Sequence, residues 1–226
     1  MTNSDIHKRY AVYLCAEPQT DLARWASAWL GWDIHKALPN SDRTDVAKFT
    51  ERPRKYGFHG TLVAPFVAKE GVELSEISRI VDQHCRELGV FQLSLHLNTL
   101  GKFLALTADA DEQETRAVSS ALVRALNHLR ADLSDADLKR RMKPNLTDQE
   151  RKNVQTWGYP YVFDAFRFHM TLTGPLKPSE QASVFGMLDR ELASLLAHPL
   201  EVNAIYICGE RPDGFFETLS RHELSA

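Results

Sequence analysis

Two five-residue stretches carry the residue types that can do chemistry, Phe58-His59-Gly60-Thr61-Leu62 and Phe168-His169-Met170-Thr171-Leu172. They agree at four of five positions, and each runs on into a proline-bearing turn, at Pro65 and Pro175. Successive side chains of an extended strand point to opposite faces, so His59 and Thr61 share one face while Phe58, Gly60 and Leu62 share the other. The second copy sorts identically. Each strand therefore offers a cleft one imidazole and one hydroxyl, with an apolar ridge behind to anchor it. A single His-x-Thr among nine histidines would most simply be a surface or satisfied core residue, and the second copy argues against that.

Two imidazoles in one cleft suit acid-base work. With ordinary pKa values of about 6.5, one can be neutral and accept a proton while the other is charged and donates it. The two Thr hydroxyls can hold the non-bridging oxygens of a phosphate between them. Cleaving a phosphodiester needs these parts: a base for the attacking water or hydroxyl and an acid for the leaving oxygen. No metal and no cofactor is implied, since the sequence shows no His-Glu-x-x-His, clustered carboxylates or Cys/His ligand spacing, and two His do not fill a zinc site. A Ser or Cys nucleophile is poorly supported.

The elements that must position the pair are legible in part. Residues 9–15 read as a strand, and Thr20 as the cap of a helix carrying Leu22, Trp25, Ala26 and Trp29 on one face, with Gly31 as its stop. Over residues 32–54 the pattern dissolves, and Pro39-Asn40-Ser41-Asp42 and Arg52-Pro53-Arg54 mark a long loop. After the first His strand, Leu74, Ile77, Val81, His84 and Leu88 make an amphipathic helix ending at Gly89, with His84 structural. Residues 91–98 alternate as a half-buried strand, and Phe103–Thr107 is its partner across a turn at Gly101. The same order follows the second His strand: Ser179 caps a helix bearing Phe185, Leu188, Leu192 and Leu196, residues 200–208 alternate, and 215–219 return.

The two His stand 110 positions apart, as do Phe91 and Glu201. This internal repeat is too long for a solenoid and points to two fused lobes related by a pseudo-two-fold axis. The expected class is α+β, one two-lobed chain over residues 1–226 with antiparallel sheets flanked by helices and the site between the lobes. The units cover about 56–108 and 164–221. Between them lies a helix over about 112–133, then an insertion over about 134–161 without counterpart in the first unit. It holds a basic run (Lys139, Arg140, Arg141, Lys143), a capping box at Thr147 to Glu150, and Trp157, Tyr159 and Tyr161. Such a mix binds phosphates and stacks on bases or sugars, although a charge run is more often a solvated helix face. The expectation is a lid or wall over the cleft.

Composition sets outer bounds. A chain of 226 residues buries about 70% of its unfolded surface without a staple. Cys15, Cys85 and Cys208 are odd in number and far apart, which suits a reducing compartment rather than a disulfide framework. Residues 1–9 are polar, and no run approaches the roughly 18 apolar residues of a membrane span, so a cytoplasmic protein without a membrane partner is expected. A net charge of −3 argues against a whole surface built for polyanions and leaves phosphate binding to a local patch.

Paired His-x-Thr motifs, each preceded by an aromatic and followed by an aliphatic residue, resemble the 2H phosphoesterase superfamily, which includes cyclic phosphodiesterases and bacterial RNA 2′,5′ ligase-like proteins. Closer still, Tyr56-Gly57-Phe58-His59-Gly60-Thr61-Leu62 with Pro65-Phe66, and Phe166-Arg167-Phe168-His169-Met170-Thr171-Leu172-Thr173-Gly174, are similar to the branch found in phosphonate-utilisation operons. The resemblance implies a metal-independent phosphoesterase with His59, Thr61, His169 and Thr171 as catalytic residues. The insertion is not shared by the RNA-processing members. The expected substrate is a small phosphorylated molecule, either a cyclic sugar phosphate, a nucleotide 2′,3′-cyclic phosphate or an RNA end, with no obligate protein partner. Arg167, two residues before His169, is placed to reach a phosphate oxygen. Tyr13 and Tyr56 are candidates to stack on a sugar or base, or else to close the edge of the core. The alternative is a binding module that recognises a cyclic nucleotide or RNA end without turnover, but such a module has no need of two titrating imidazoles.

Overall fold

The two His-bearing strands lie side by side. In the computed structural model, which describes residues 7–40, 43–108 and 112–225, the strands are β1 (Tyr10–Leu14), β2 (Trp32–Asp33), β3 (Leu38–Pro39), β4 (Gly60–Phe66), β5 (Phe91–Leu93), β6 (His96–Leu100), β7 (Phe103–Thr107), β8 (His169–Thr171), β9 (Leu200–Val202), β10 (Ala204–Glu210) and β11 (Phe216–Glu223). The helices are α1 (Asp21–Leu30), α2 (Ala47–Arg54), α3 (Leu74–Cys85), α4 (Glu112–Leu126), α5 (Asp135–Arg141), α6 (Asp148–Trp157) and α7 (Pro178–Leu192). Residues 1–6 of the polar N-terminus and Ser41-Asp42 of the expected turn lie outside the described residues.

The protein is α+β, with a seven-stranded sheet in the order β11-β10-β1-β4-β8-β7-β6 and antiparallel pairing throughout. This corrects the expected placing of the motif strands on separate lobes across a cleft: β4 and β8 are neighbours at the centre of one sheet. The hairpins are also crossed. β6–β7 follows the first His strand in sequence but pairs with β8, and β10–β11 follows the second but reaches β4 through β1. A central strand needs a partner on each edge, and the crossing supplies β4 with β1 and β8 with β7. A separate pair joins β5 to β9.

Alternation gives the sheet two unlike faces. Val12, Leu14, Leu62, Leu104, Leu106, Met170 and Leu172 face one way and pack with Trp29 of α1, Ile77 of α3, Leu122 of α4 and Leu188 of α7 in one continuous core. Each such side chain contributes roughly 1.5–3 kcal/mol on burial. The opposite face carries the His and Thr residues and a smaller cluster of Ala11, Tyr13, Tyr206, Cys208 and Phe216 under Trp32 and Ile34.

Local signals set most helix ends. Thr20 accepts from the Ala23 N–H at 3.2 Å, Gly31 ends α1 at φ 79°, and Thr147 and Glu150 form the expected capping box of α6, which Gly158 ends at φ 74°. Four expectations are corrected. Residues 32–54 hold β2, β3 and α2 rather than one long loop, and α2 escaped its periodicity because its buried positions are Thr50 and Pro53. The runs 91–98 and 200–208 each break, into β5 and β6 and into β9 and β10, because their halves join different sheets. The cap of α7 is Lys177 rather than Ser179, with Pro178 in the first turn where its missing N–H costs nothing. The helix expected over 112–133 stops at Leu126 and continues only as a 3-10 turn, Asn127–Leu129. Among the described residues no helix is long and apolar enough to cross a membrane, and all three Cys are buried and free.

Candidate active site

Register brings the two motifs together. Gly60 pairs with Met170, the middle residue of each motif, so the antiparallel alignment sets His59 across from Thr171 and Thr61 across from His169. Gly60 and Met170 are also where the two copies differ, for a steric reason: a Cβ on Gly60 would lie 2.4 Å from the Phe168 ring. Helices fix the strands from behind. Ser119 of α4 donates to the Leu62 carbonyl at 2.7 Å, Glu112 accepts from the Phe168 N–H at 3.2 Å, and Trp29 donates to the Leu172 carbonyl at 2.8 Å.

Both imidazoles are held by the same local bond. His59 Nδ1 lies 3.0 Å from the Gly57 carbonyl and His169 Nδ1 2.9 Å from the Arg167 carbonyl. A carbonyl only accepts, so each Nδ1 carries a proton and each Nε2 is left to exchange one. His59 Nε2 meets the Thr61 hydroxyl at 3.1 Å. The environments differ. His59 lies against Tyr13, ring centroids 3.8 Å apart at 26°, with Tyr56 at 6.1 Å. Burial pushes its pKa down to about 4; repulsion from His169 adds to this, and the Gly57 carbonyl opposes it. At neutral pH His59 is thus an uncharged base. His169 has Phe103 as its ring neighbour, at 5.9 Å and 52°.

Two hollows meet at His59. The larger, about 500 Å³, is lined by His59, Thr61 and Thr171 together with Arg9, Lys55, Arg140, Arg141 and Lys143. No carboxylate is among its lining residues. The insertion forms one wall of it through Arg140, Arg141, Lys143, Tyr159 and Tyr161. Arg141 ties that wall to β4, donating to the Pro65 carbonyl at 2.8 Å and to the Gly158 carbonyl. Burial, then Arg140, pushes its pKa down from the usual arginine range. Arg9 is forked onto Glu210 at 2.6 and 2.9 Å. The smaller hollow, about 270 Å³, shares Tyr56, His59 and Thr171 and is otherwise mostly apolar, with Pro53, Phe103 and Pro175.

Of the residues singled out in the sequence, His59, Thr61, Thr171, Tyr13 and Tyr56 line these hollows, and His169 stands on the strand beside them. Tyr13 is only 1% exposed and its ring meets His59, which leaves it as support rather than a platform for a sugar or base. Arg167 is exposed and its guanidinium turns to the Asp164 and Phe166 carbonyls at 3.1 and 2.7 Å; it lines neither hollow. Arg9, Lys55 and Phe103 were not foreseen. Arg9 had a signal, since it shares a strand face with Tyr13 at even spacing. Among the described residues no group of three or more His, Cys, Asp or Glu is placed to hold a metal ion.

Fold and site together define an α+β protein with two histidines at neighbouring strands of one sheet, one of them lining a cationic hollow. The family described as "Protein of unknown function (DUF1045)" matches residues 61–217, and the chain belongs to that family. A protein of Janthinobacterium sp. (strain Marseille) named ribose 1,5-bisphosphate phosphokinase PhnN is 29% identical over 226 residues, covering 94% of this chain and 49% of that protein. One of the same name from Laribacter hongkongensis (strain HLHK9) is 30% identical over 203 residues, 88% of this chain and 48% of the relative. The chain thus spans about half the length of these curated relatives.

Proposed function

We propose that the protein is a metal-independent phosphoesterase of the 2H type, with a duplicated fold, that hydrolyses or opens a cyclic phosphate or related diester on a small phosphorylated molecule. The observation that carries this is the pair of imidazoles, each with Nδ1 tied to a backbone carbonyl and Nε2 left for proton exchange, at adjacent strands beside a hollow lined by five cations and no carboxylate. Duplication is supported by register: Gly60 pairs with the residue 110 positions on, Met170, and a shift of 110 carries Phe91 to Glu201 and Gln92 to Val202, so that the pair Phe91–Val202 maps onto the pair Glu201–Gln92.

In the proposed reaction His59 Nε2 takes a proton from water as its oxygen attacks phosphorus. The ester P–O bond breaks, and His169, protonated, gives its Nε2 proton to the leaving oxygen. With substrate bound the Thr61 hydroxyl turns from His59 Nε2, which it meets at 3.1 Å, to a non-bridging oxygen, Thr171 donates to another, and the cations offset the phosphate charge. One water is consumed, and the two imidazoles return to their starting states by exchanging a proton with solvent.

The resemblance to proteins of phosphonate-utilisation operons supports a role in phosphonate metabolism, and the ribose 1,5-bisphosphate in the relatives' name suggests phosphorylated ribose as the first substrate class to try. The name of those relatives states a kinase, and this chain spans about half their length. The one Gly-Lys pair here, Gly101-Lys102, has His96 where a G-x-x-x-x-G-K-[ST] phosphate loop requires Gly.

The test is turnover, followed by ³¹P NMR, of nucleoside 2′,3′-cyclic phosphates and cyclic ribose phosphates, with binding measured in parallel. Hydrolysis that survives a strong chelator is expected. Tight binding with no turnover of any of them would point instead to a recognition module.

A further inference from the structure

The strands flanking the two motifs match at one position and differ at the next. Leu14 stands opposite Gly60 and Leu106 opposite Met170, a leucine on the core side in both cases. One residue away, on the site face, Tyr13 stands opposite Thr61 but Ala105 opposite Thr171. The large ring therefore supports only one of two otherwise similar histidines. It stacks on His59 with centroids 3.8 Å apart, while the ring nearest His169 is the tilted Phe103 at 5.9 Å.

We propose that Tyr13 is the positioning residue that makes His59, rather than His169, the proton acceptor, by covering one face of its imidazole and holding Nε2 toward the reacting phosphate. This rests on the two-histidine function above. The groups facing His59 are the Gly57 carbonyl, the Thr61 hydroxyl, Tyr56, His169 from β8, and Arg9, Lys55, Arg140, Arg141 and Lys143 around the hollow. No carboxylate stands among the lining residues to draw the ring into its charged form. An aromatic face attracts a cation, so stacking alone would favour the imidazolium. Exclusion of water acts oppositely and is the larger influence, as the low pKa of His59 reflects.

The test is the imidazole titration of His59, followed by NMR in the wild type and in Tyr13→Ala, Tyr13→Leu and Tyr13→Phe. Tyr13→Ala should raise the midpoint by one unit or more, about tenfold or more in proton affinity. Tyr13→Leu keeps most of the buried volume without the flat ring; it should give a smaller rise and serves where the Ala variant does not fold. Tyr13→Phe should titrate as the wild type. An unchanged or lowered midpoint in the Ala and Leu variants overturns the proposal, as does an equal rise in Tyr13→Phe. The titration needs no substrate, so its outcome is separate from a failure to find phosphodiester turnover. Where turnover is found, the acidic limb of the rate profile should move up with the midpoint.

Discussion

The two hollows that meet at His59 share three residues and little of their chemistry. On the insertion side five cations surround the space, and on the other Pro53, Phe103 and Pro175 give a mostly apolar lining with Arg52 as its one charge. In a chain of net charge −3 such a concentration is local, and it raises the potential where an anion would sit. The difference implies a divided substrate, with its phosphate and any further anionic group toward the insertion and its uncharged part toward Phe103. The cations repel one another, which contributes to the lowered pKa of Arg141, and a bound anion relieves that repulsion.

The largest effects should come from the boundary between the two sides. His59→Ala and His169→Ala are each expected to lose on the order of 10²-fold to 10⁴-fold in kcat while both hollows stay intact. Full activity in either variant would end the two-histidine mechanism. Next comes the floor beneath them. Gly60→Ala places a Cβ 2.4 Å from the Phe168 ring, so the ring or the strand must move, at a cost of about 1–3 kcal/mol. Thermal unfolding should record a fall of several degrees, and an unchanged Tm would show that Phe168 yields freely.

A smaller effect separates the cationic side from the apolar one. Arg140→Ala combined with Lys143→Ala should raise KM by roughly tenfold at low salt and by less at high salt, with kcat nearly unchanged. Arg141 is left in place because it holds the Pro65 and Gly158 carbonyls, and its loss would mix structural damage with loss of charge. KM values that respond identically to salt in variant and wild type would mean that these charges do not meet the substrate.

Much of this site was legible in the sequence because it depends on short-range rules. Alternation put His59 with Thr61 and His169 with Thr171, and the missing counterpart in the first unit singled out the insertion. Strand order was not legible. A 110-residue offset is the same whether two units pack as separate lobes or exchange their hairpins, and only the pairings of β8 with β7 and of β4 with β1 and β8 decide it. Alternation also names a face without saying what covers it, which is why the sequence leaves Tyr13 between stacking on a substrate and closing the edge of the core, and the structure sets it against His59. For Arg167 the rule was carried too far back: β8 begins only at His169, and the irregular backbone before it turns the guanidinium to nearby carbonyls.

The smallest effect should come from the apolar side, and its form matters more than its size. Phe103 stands at the start of β7, half-buried, next to His169, and lines the smaller hollow but not the cationic one. Its ring can contact the uncharged part of a substrate but can offer a phosphate nothing. An aromatic contact contributes about 0.5–1.5 kcal/mol, so Phe103→Ala should reduce kcat/KM by roughly twofold to tenfold, mainly through KM. Because no charge is removed, the loss should be the same at low and high salt, unlike that of the Arg140 and Lys143 variant. Substrates trimmed on their uncharged side should lose their preference for the wild type over Phe103→Ala, while substrates trimmed of an anionic group should keep it. A salt-dependent loss, or one that follows the anionic group, would mean that the two hollows bind one undivided ligand.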